Sequence, residues 1–255
     1  MDIGSIGDEI SHINFRNDPS TYQRREFVKL SVGFFLGLTA ALPSLAQQAR
    51  DANRLNGRGA SPGPINWDAF LEYLDRAARV QFQPSWDQGR YVQEIEKLVQ
   101  SLSLTDSRLT RALQSARPHR GIPDFEDLEQ RMSFQITLIT FENGQILPLH
   151  DHPRMTGVMT CATGMVDVQR FHLLAVGKDR DSFTLRDEGL VGMTPGSVSS
   201  LTAETHNIHG LKARSFSQII DIFTPPYDSA RIKDSRWFRV TPSGTKSNEV
   251  TATLL

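Results

Sequence analysis

The chain has 255 residues, of which 38% are hydrophobic and 22% charged, with 28 Lys and Arg against 29 Asp and Glu. This composition excludes collagen-like, disulfide-stapled and wholly disordered classes, and a formal net charge of -1 lacks the concentrated basic face that nucleic-acid binding needs. A single cysteine, Cys161, cannot close an intramolecular disulfide, so the core rests on apolar burial, for which the length suits one ordinary domain.

In chain order, the charged run Arg24 to Lys29 precedes a stretch without charge from Leu30 to Leu45, with small residues Ser44 and Ala46 at its exit. Charged, apolar and small residues in this order form an export signal. Arg24 and Arg25, followed by Phe27 and Lys29, resemble the twin-arginine type. Ser31, Gly33, Gly37, Thr39 and Pro43 interrupt the stretch, which falls short of the roughly 20 apolar residues of a membrane span. Residues 1–46 are therefore expected to be a signal peptide. It would send a folded protein through the twin-arginine translocase to the periplasm or the medium of a bacterium, with no stable span after processing. Retention of the segment as an anchor is the alternative. Residues 47–64 are expected to be a linker, rich in Gly, Asn and Pro near its end.

A helical segment is expected over 65–130. Trp67, Phe70, Leu71, Leu74 and Ala77 recur at three- and four-residue spacing, as do Val92, Ile95, Leu98, Val99 and Leu102, so each set makes one core-facing stripe. A third helix is expected from an N-cap at Asp106 to Gln114, ending before Pro118.

From Met132 the period changes to two: Met132, Phe134, Ile136 and Leu138 alternate with Ser133, Gln135 and Thr137, which predicts a strand with one buried face. Short strand-like runs follow at Val158–Ala162, Met165–Leu173, Phe183–Leu185, Phe216–Phe223 and Trp237–Val240. Many short strands between Gly and Pro punctuation predict a sandwich or barrel, mainly β, behind a helical segment and thus α+β overall. The barrel is expected over 131–245 and a tail over 246–255.

The chemistry concentrates at His150 and His152. Residues two apart on a strand point the same way, so both imidazoles can face one ion, and Pro153 suits a strand end. A third ligand is expected from His206 or His209, which follow the Pro195-Gly196 turn. Their odd separation puts them on opposite strand faces, so only one can serve, and spacing alone does not choose.

Gly144-x5-His150-x-His152 resembles the first motif of the cupins, small double-sheet β-barrels that hold a metal inside. Pro148 to Thr156, Asn207 to His209 and Asp221 to Tyr227 together resemble the cysteamine dioxygenase and plant cysteine oxidase family of that superfamily, over roughly Phe134 to Val240. The resemblance implies a cupin double-stranded β-helix, the jelly-roll barrel, with Fe(II) held by His150, His152 and His209 and with His206 left in a loop. It implies that Asp221 and Tyr227 lie near the metal cavity, orienting a ligand histidine or binding substrate, and that a thiol and O2 are converted to a sulfinate. Cysteine, cysteamine and the N-terminal Cys of a peptide all fit as the thiol. A non-catalytic metal- or ligand-binding cupin, or a cupin isomerase or oxygenase acting on another substrate, are the alternatives.

The general cupin pattern places a Glu where Thr156 or Gly157 stands here. Without that carboxylate, three neutral imidazoles leave both charges of a ferrous ion uncompensated, which favours an incoming thiolate. Some relatives carry a Cys close to the tyrosine; none follows Tyr227, so no thioether crosslink is expected there. Cys161 is expected to be a small buried residue.

Overall fold

The computed structural model describes residues 64–227, 233–241 and 248–255. The expected signal over 1–46, and the linker up to residue 63, lie outside the described residues.

Among the described residues three α-helices come first: α1 (Trp67–Arg79), α2 (Gln88–Gln100) and α3 (Ser107–Ser115). Side-chain oxygens cap their free N-termini: Asn66 accepts from the Ala69 N–H at 2.9 Å, Asp87 from Arg90 at 2.9 Å and Asp106 from Arg108 at 2.9 Å. Asp106 also accepts the Trp67 N–H at 3.1 Å, which ties the start of α3 to the start of α1. Both expected stripes are buried, with Ala78 rather than Ala77 as the deepest small residue of α1. Among the described residues no helix is long and apolar enough to cross a membrane.

Eleven strands follow among the described residues: β1 (Asp124–Gln130), β2 (Gln135–Phe141), β3 (Ile146–Asp151), β4 (Thr156–Thr163), β5 (Val166–Val176), β6 (Ser182–Met193), β7 (Val198–Leu201), β8 (Ile208–Ala213), β9 (Ser217–Thr224), β10 (Phe238–Thr241) and β11 (Glu249–Leu254). They form a five-stranded sheet in the order β1-β2-β9-β4-β7 and a six-stranded sheet in the order β10-β11-β6-β5-β8-β3, with all named pairs antiparallel. From β2 to β9 consecutive strands alternate between the two sheets except at the β5–β6 hairpin, which is jelly-roll connectivity, so the fold is mainly β with helices in front of a cupin-like double-stranded β-helix.

Several expectations need correction. The segment 65–130 is not helical throughout: helix ends at Ser115, and acidic β1 pairs along β2 to widen the sheet. The expected tail contains β11, which pairs with both β6 and β10 and is therefore part of the sheet. Met132 is 90% exposed in the turn before β2, and Phe216 is 46% exposed before β9, so those strands begin at Gln135 and Ser217.

The single buried face expected for β2 is also wrong, because every residue of the strand is buried. Ile136 and Leu138 pack outward with Val158, Ile220 and Ile222 onto the helical stripes, while Ile139 and Phe141 pack inward with Met159, Cys161 and Ile219. The helices cover the outer face of the five-stranded sheet, so its inner face is free to line a cavity with polar groups.

Candidate metal centre

Two neighbouring strands set the first pair of histidines. In the β3–β8 ladder His150 lies directly opposite His209, so both side chains rise from one face of the sheet. The ladder slips between Leu147 and His150, where Pro148 has no N–H to give. The Pro148 carbonyl accepts the His150 Nδ1–H at 2.8 Å, which leaves the lone pair on Nε2.

His152 lies one residue beyond the end of β3. Its N–H donates to Asn207 Oδ1 at 2.8 Å, while Asn207 Nδ2 donates to the carbonyls of His152 and Thr202 at 2.8 and 2.9 Å. Asn207 thereby clamps the chain end carrying His152 to the loop that leads into β8. Tyr227 Oη meets His152 Nδ1.

One nitrogen from each of His150, His152 and His209 lies within 4.8 Å of the others, and the Nε2 atoms of His152 and His209 stand 3.1 Å apart. All three side chains are buried. Burial lowers the His150 pKa to about 4 and holds His152 and His209 well below the usual imidazole range, so all three are neutral at pH 7 and able to ligate. Three neutral nitrogen donors converging on one point fit a first-row divalent ion, Fe(II) included.

Aromatic rings brace the cluster. Trp237 stacks on His150 with centroids 4.8 Å apart, and Phe223 on His152 at 4.6 Å. Trp237 is held there by Asp151, which is buried and takes the Arg236 N–H at 2.6 Å and its Nε–H at 2.7 Å.

The other expected residues fall around this centre in different ways. Asp221 faces inward from β9, between Thr137 of β2 and Met159 of β4. Its carboxyl takes the backbone N–H of Ile222, but Oδ1 is buried with no hydrogen-bond partner, and burial raises the pKa to about 8. Burial first, and then the charge of Asp221 once that carboxyl ionises, holds the Tyr227 hydroxyl protonated well above the usual phenol range. Tyr227 is itself anchored, its N–H donating to Gln135 Oε1 at 3.0 Å while Gln135 Nε2 donates to Asp127 at 2.7 Å.

His206 is not part of the cluster. It sits in the loop at φ 55°, with Nε2 3.4 Å from Glu188 and its side chain 37% exposed. Cys161 is buried at the far end of the interior and donates its thiol to the Thr163 carbonyl at 3.3 Å.

The missing carboxylate has a structural counterpart. Gly157 faces inward on β4 opposite Phe223, and a Cβ there would stand 2.9 Å from the Phe223 ring. Thr156 is buried and donates to the Thr224 carbonyl at 3.0 Å. The ring that supports His152 occupies the space a longer residue 157 would need.

The Pro148 carbonyl, the double grip of Asn207, and the Asp151–Arg236–Trp237 brace were not anticipated as parts of the site. Asn207 alone had a visible signal, its place two residues before His209.

A protein-family model described as PCO_ADO matches residues 96–254, from the last turns of α2 to the end of β11. Plant cysteine oxidase 1 of Arabidopsis thaliana is 24% identical over 169 residues, which cover 62% of this chain and 58% of that relative's length. Among solved structures, an RmlC-like cupin protein from Desulfovibrio desulfuricans is 21% identical, covering 45% of this chain and 93% of its own, with a TM-score of 0.35. A protein from Thermus thermophilus is 18% identical, covering 46% of this chain and 95% of its own, with a TM-score of 0.37. The matched segment holds the whole histidine cluster together with Asp221 and Tyr227, and the chain belongs to the PCO_ADO family.

Proposed function

We propose that this protein is an Fe(II)-dependent thiol dioxygenase, with His150, His152 and His209 as the iron ligands. The observation that carries the reading is a buried set of three neutral imidazoles with no carboxylate among them, in a chain of the PCO_ADO family. When bound, ferrous iron supplies the electron-transfer chemistry that lets ground-state dioxygen react with a thiol. The balanced reaction is RSH + O2 → RSO2H: the S–H and O–O bonds break, two S–O bonds form, the thiol proton ends on the sulfinic acid, and sulfur is oxidised by four electrons while dioxygen is reduced.

The protein's own groups hold and shield the reactants. Pro148 and Tyr227 orient two of the imidazoles through Nδ1, Asn207 fixes the backbone at His152, and Phe223 and Trp237 cover ring faces that water would otherwise reach. Asp221 has one carboxyl oxygen without a protein partner, available for a hydrogen bond to the bound thiol compound.

The reading includes export. Arg24 and Arg25 support a twin-arginine route, and replacing both with Lys is expected to leave the protein in the cytoplasm, since a guanidinium pair is read differently from any two positive charges. Unchanged export of that variant rejects the route.

The test of the activity is oxygen uptake by the Fe(II)-loaded protein with cysteine, cysteamine and Cys-initiated peptides, with the sulfinate identified by mass. No uptake with any of these thiols, at full iron occupancy, rejects the dioxygenase.

A further inference from the structure

Strands β5, β8 and β3 run side by side, and their registers set Arg170, His209 and His150 in one row: Arg170 opposite His209, and His209 opposite His150. Residues directly opposite one another share a sheet face, so Arg170 rises from the face that carries the histidines. Val166 and Val168, four and two residues earlier on β5, pack into the barrel interior, consistent with the same inward series. Arg170 also lies close enough for its charge to help hold His209 neutral.

Among the described residues no carboxylate forms an ion pair with Arg170. Its Nε is buried without a hydrogen-bond partner. Of the acidic residues of β6 beside it, Asp187 takes Gln169 at 2.5 Å and the Gly189 N–H at 2.7 Å, and Glu188 gives Oε1 to Arg186 at 3.3 Å while its Oε2 stands 3.4 Å from His206 and takes no hydrogen bond. A guanidinium does not shed its proton at any physiological pH, and leaving it desolvated and unpaired is unfavourable. It stands beside three neutral ligands that do nothing to offset the charge of a divalent ion. The site thus carries an excess of positive charge in one row.

We infer that Arg170 binds the carboxylate of the substrate, and that the substrate is a small thiol acid such as cysteine. The inference rests on the dioxygenase reading for where the sulfur goes and deepens it by naming the substrate class. A sulfur at the histidine cluster and a carboxylate a few bonds away span neighbouring positions in one row, whose Cα atoms lie about 5 Å apart in an antiparallel ladder. The planar fork of the guanidinium matches a carboxylate with two parallel N–H···O bonds. Cysteamine has no carboxylate to offer, and a Cys-initiated peptide has an amide in that place. A peptide could supply a carboxylate only from a later acidic side chain.

The test is anaerobic titration of the Fe(II)-loaded full chain with cysteine, 3-mercaptopropionate, cysteamine, cysteinamide and the dipeptide Cys-Glu amide, followed by calorimetry and by the ferrous spectrum. Cysteine and 3-mercaptopropionate are expected to bind about 10- to 100-fold tighter than cysteamine and cysteinamide, the range for a charge-assisted hydrogen bond. Arg170→Gln is expected to erase that gap with iron content unchanged, and Arg170→Lys to restore part of it. Equal binding of the acids and cysteamine by the parent protein, or a gap that survives in Arg170→Gln, overturns the inference. Tight binding of Cys-Glu amide with weak binding of cysteine overturns the small thiol acid. If Arg170→Gln does not fold, the parent comparison and Arg170→Lys still decide. Oxygen uptake is read separately: a carboxylate preference without uptake keeps Arg170 in this role and rejects the dioxygenase, and uptake without a preference does the reverse.

Discussion

At one end of the barrel interior Ile139, Cys161, Val166, Ala213 and Ile219 close on one another; at the other, His150, His152, His209, Asp221 and Gln135 share the same walls. On β9 the two ends stand only two residues apart. On β9 the inward series reads Ile219, Asp221, Phe223, and on β2 it reads Ile139, Thr137, Gln135, with Ile139 opposite Ile219 and Thr137 opposite Asp221. The apolar end gains from burial, at about 25 cal/mol per Å² of apolar surface removed from water. The polar end loses, because neutral imidazoles and a carboxyl are desolvated there without full hydrogen bonding. A site that holds ligands ready for an ion is thus supported by the layer beneath it and by the helices behind it.

The largest expected effect breaks the polar end alone. His150→Ala, His152→Ala or His209→Ala should each abolish tight iron binding, a greater loss than the about 10- to 100-fold typical of removing a group that only orients a ligand. His206→Ala, outside the cluster, should leave the iron content of purified protein near one per chain. Iron lost in His206→Ala but kept in His209→Ala would reverse the ligand assignment.

The next breaks the apolar end alone. Ile219→Ala leaves a cavity in a fully buried layer and should destabilise the protein by about 2–5 kcal/mol in denaturant unfolding. Iron stoichiometry below the unfolding transition should not change. A loss of iron at full folding would show that the two ends are not separable.

Asp221→Asn sharpens the comparison, because it should act on stability and turnover in opposite directions. The Asp221 pKa in the folded protein, about 8, stands above the ordinary 3.8. Between those values the folded state holds a proton that the unfolded state has lost, so in the metal-free protein stability falls as pH rises across this window. Thermal melts of metal-free Asp221→Asn should therefore gain on the parent between about pH 5 and about pH 8. Turnover of the iron-loaded variant should fall about 10- to 100-fold with iron retained.

The smallest effect is expected for Tyr227→Phe, which removes one hydroxyl from His152 Nδ1 and keeps the ring against Phe223. With the ring still packed, the loss should fall at the lower end for a group that orients a ligand, about tenfold in iron affinity, measurable by competition with a chelator.

Local periodicity carried much of the fold. The stripes of α1 and α2, the N-cap at Asp106 and the β runs around Val158 and Ile219 stand in residue spacing, because one helix face or one strand face must be buried whatever its partner is. The pair His150-x-His152, with Asn207 two before His209, marked the chemistry by residue type and by resemblance. Other features had no local signal. β1 is acidic and half-exposed and is a strand only because β2 offers it an edge, and β11 depends in the same way on β6 and β10. The inner face of β2 read as solvent-facing because Gln135 and Thr137 are polar, and only the opposite wall of the barrel buries them.

The sequence by itself determined which side chains could bind a metal and which faces had to be covered, since both follow from residue chemistry and from periods of two and 3.6. The tertiary structure decided which of them meet. Spacing left His206 and His209 as rivals; the β3–β8 register, which sets His209 opposite His150 and leaves His206 in the preceding loop, assembles one cluster and excludes the other. The same kind of register, one strand further on, brings Arg170 beside His209. Pairing between strands distant in sequence depends on how the whole sheet closes, and no local pattern encodes it.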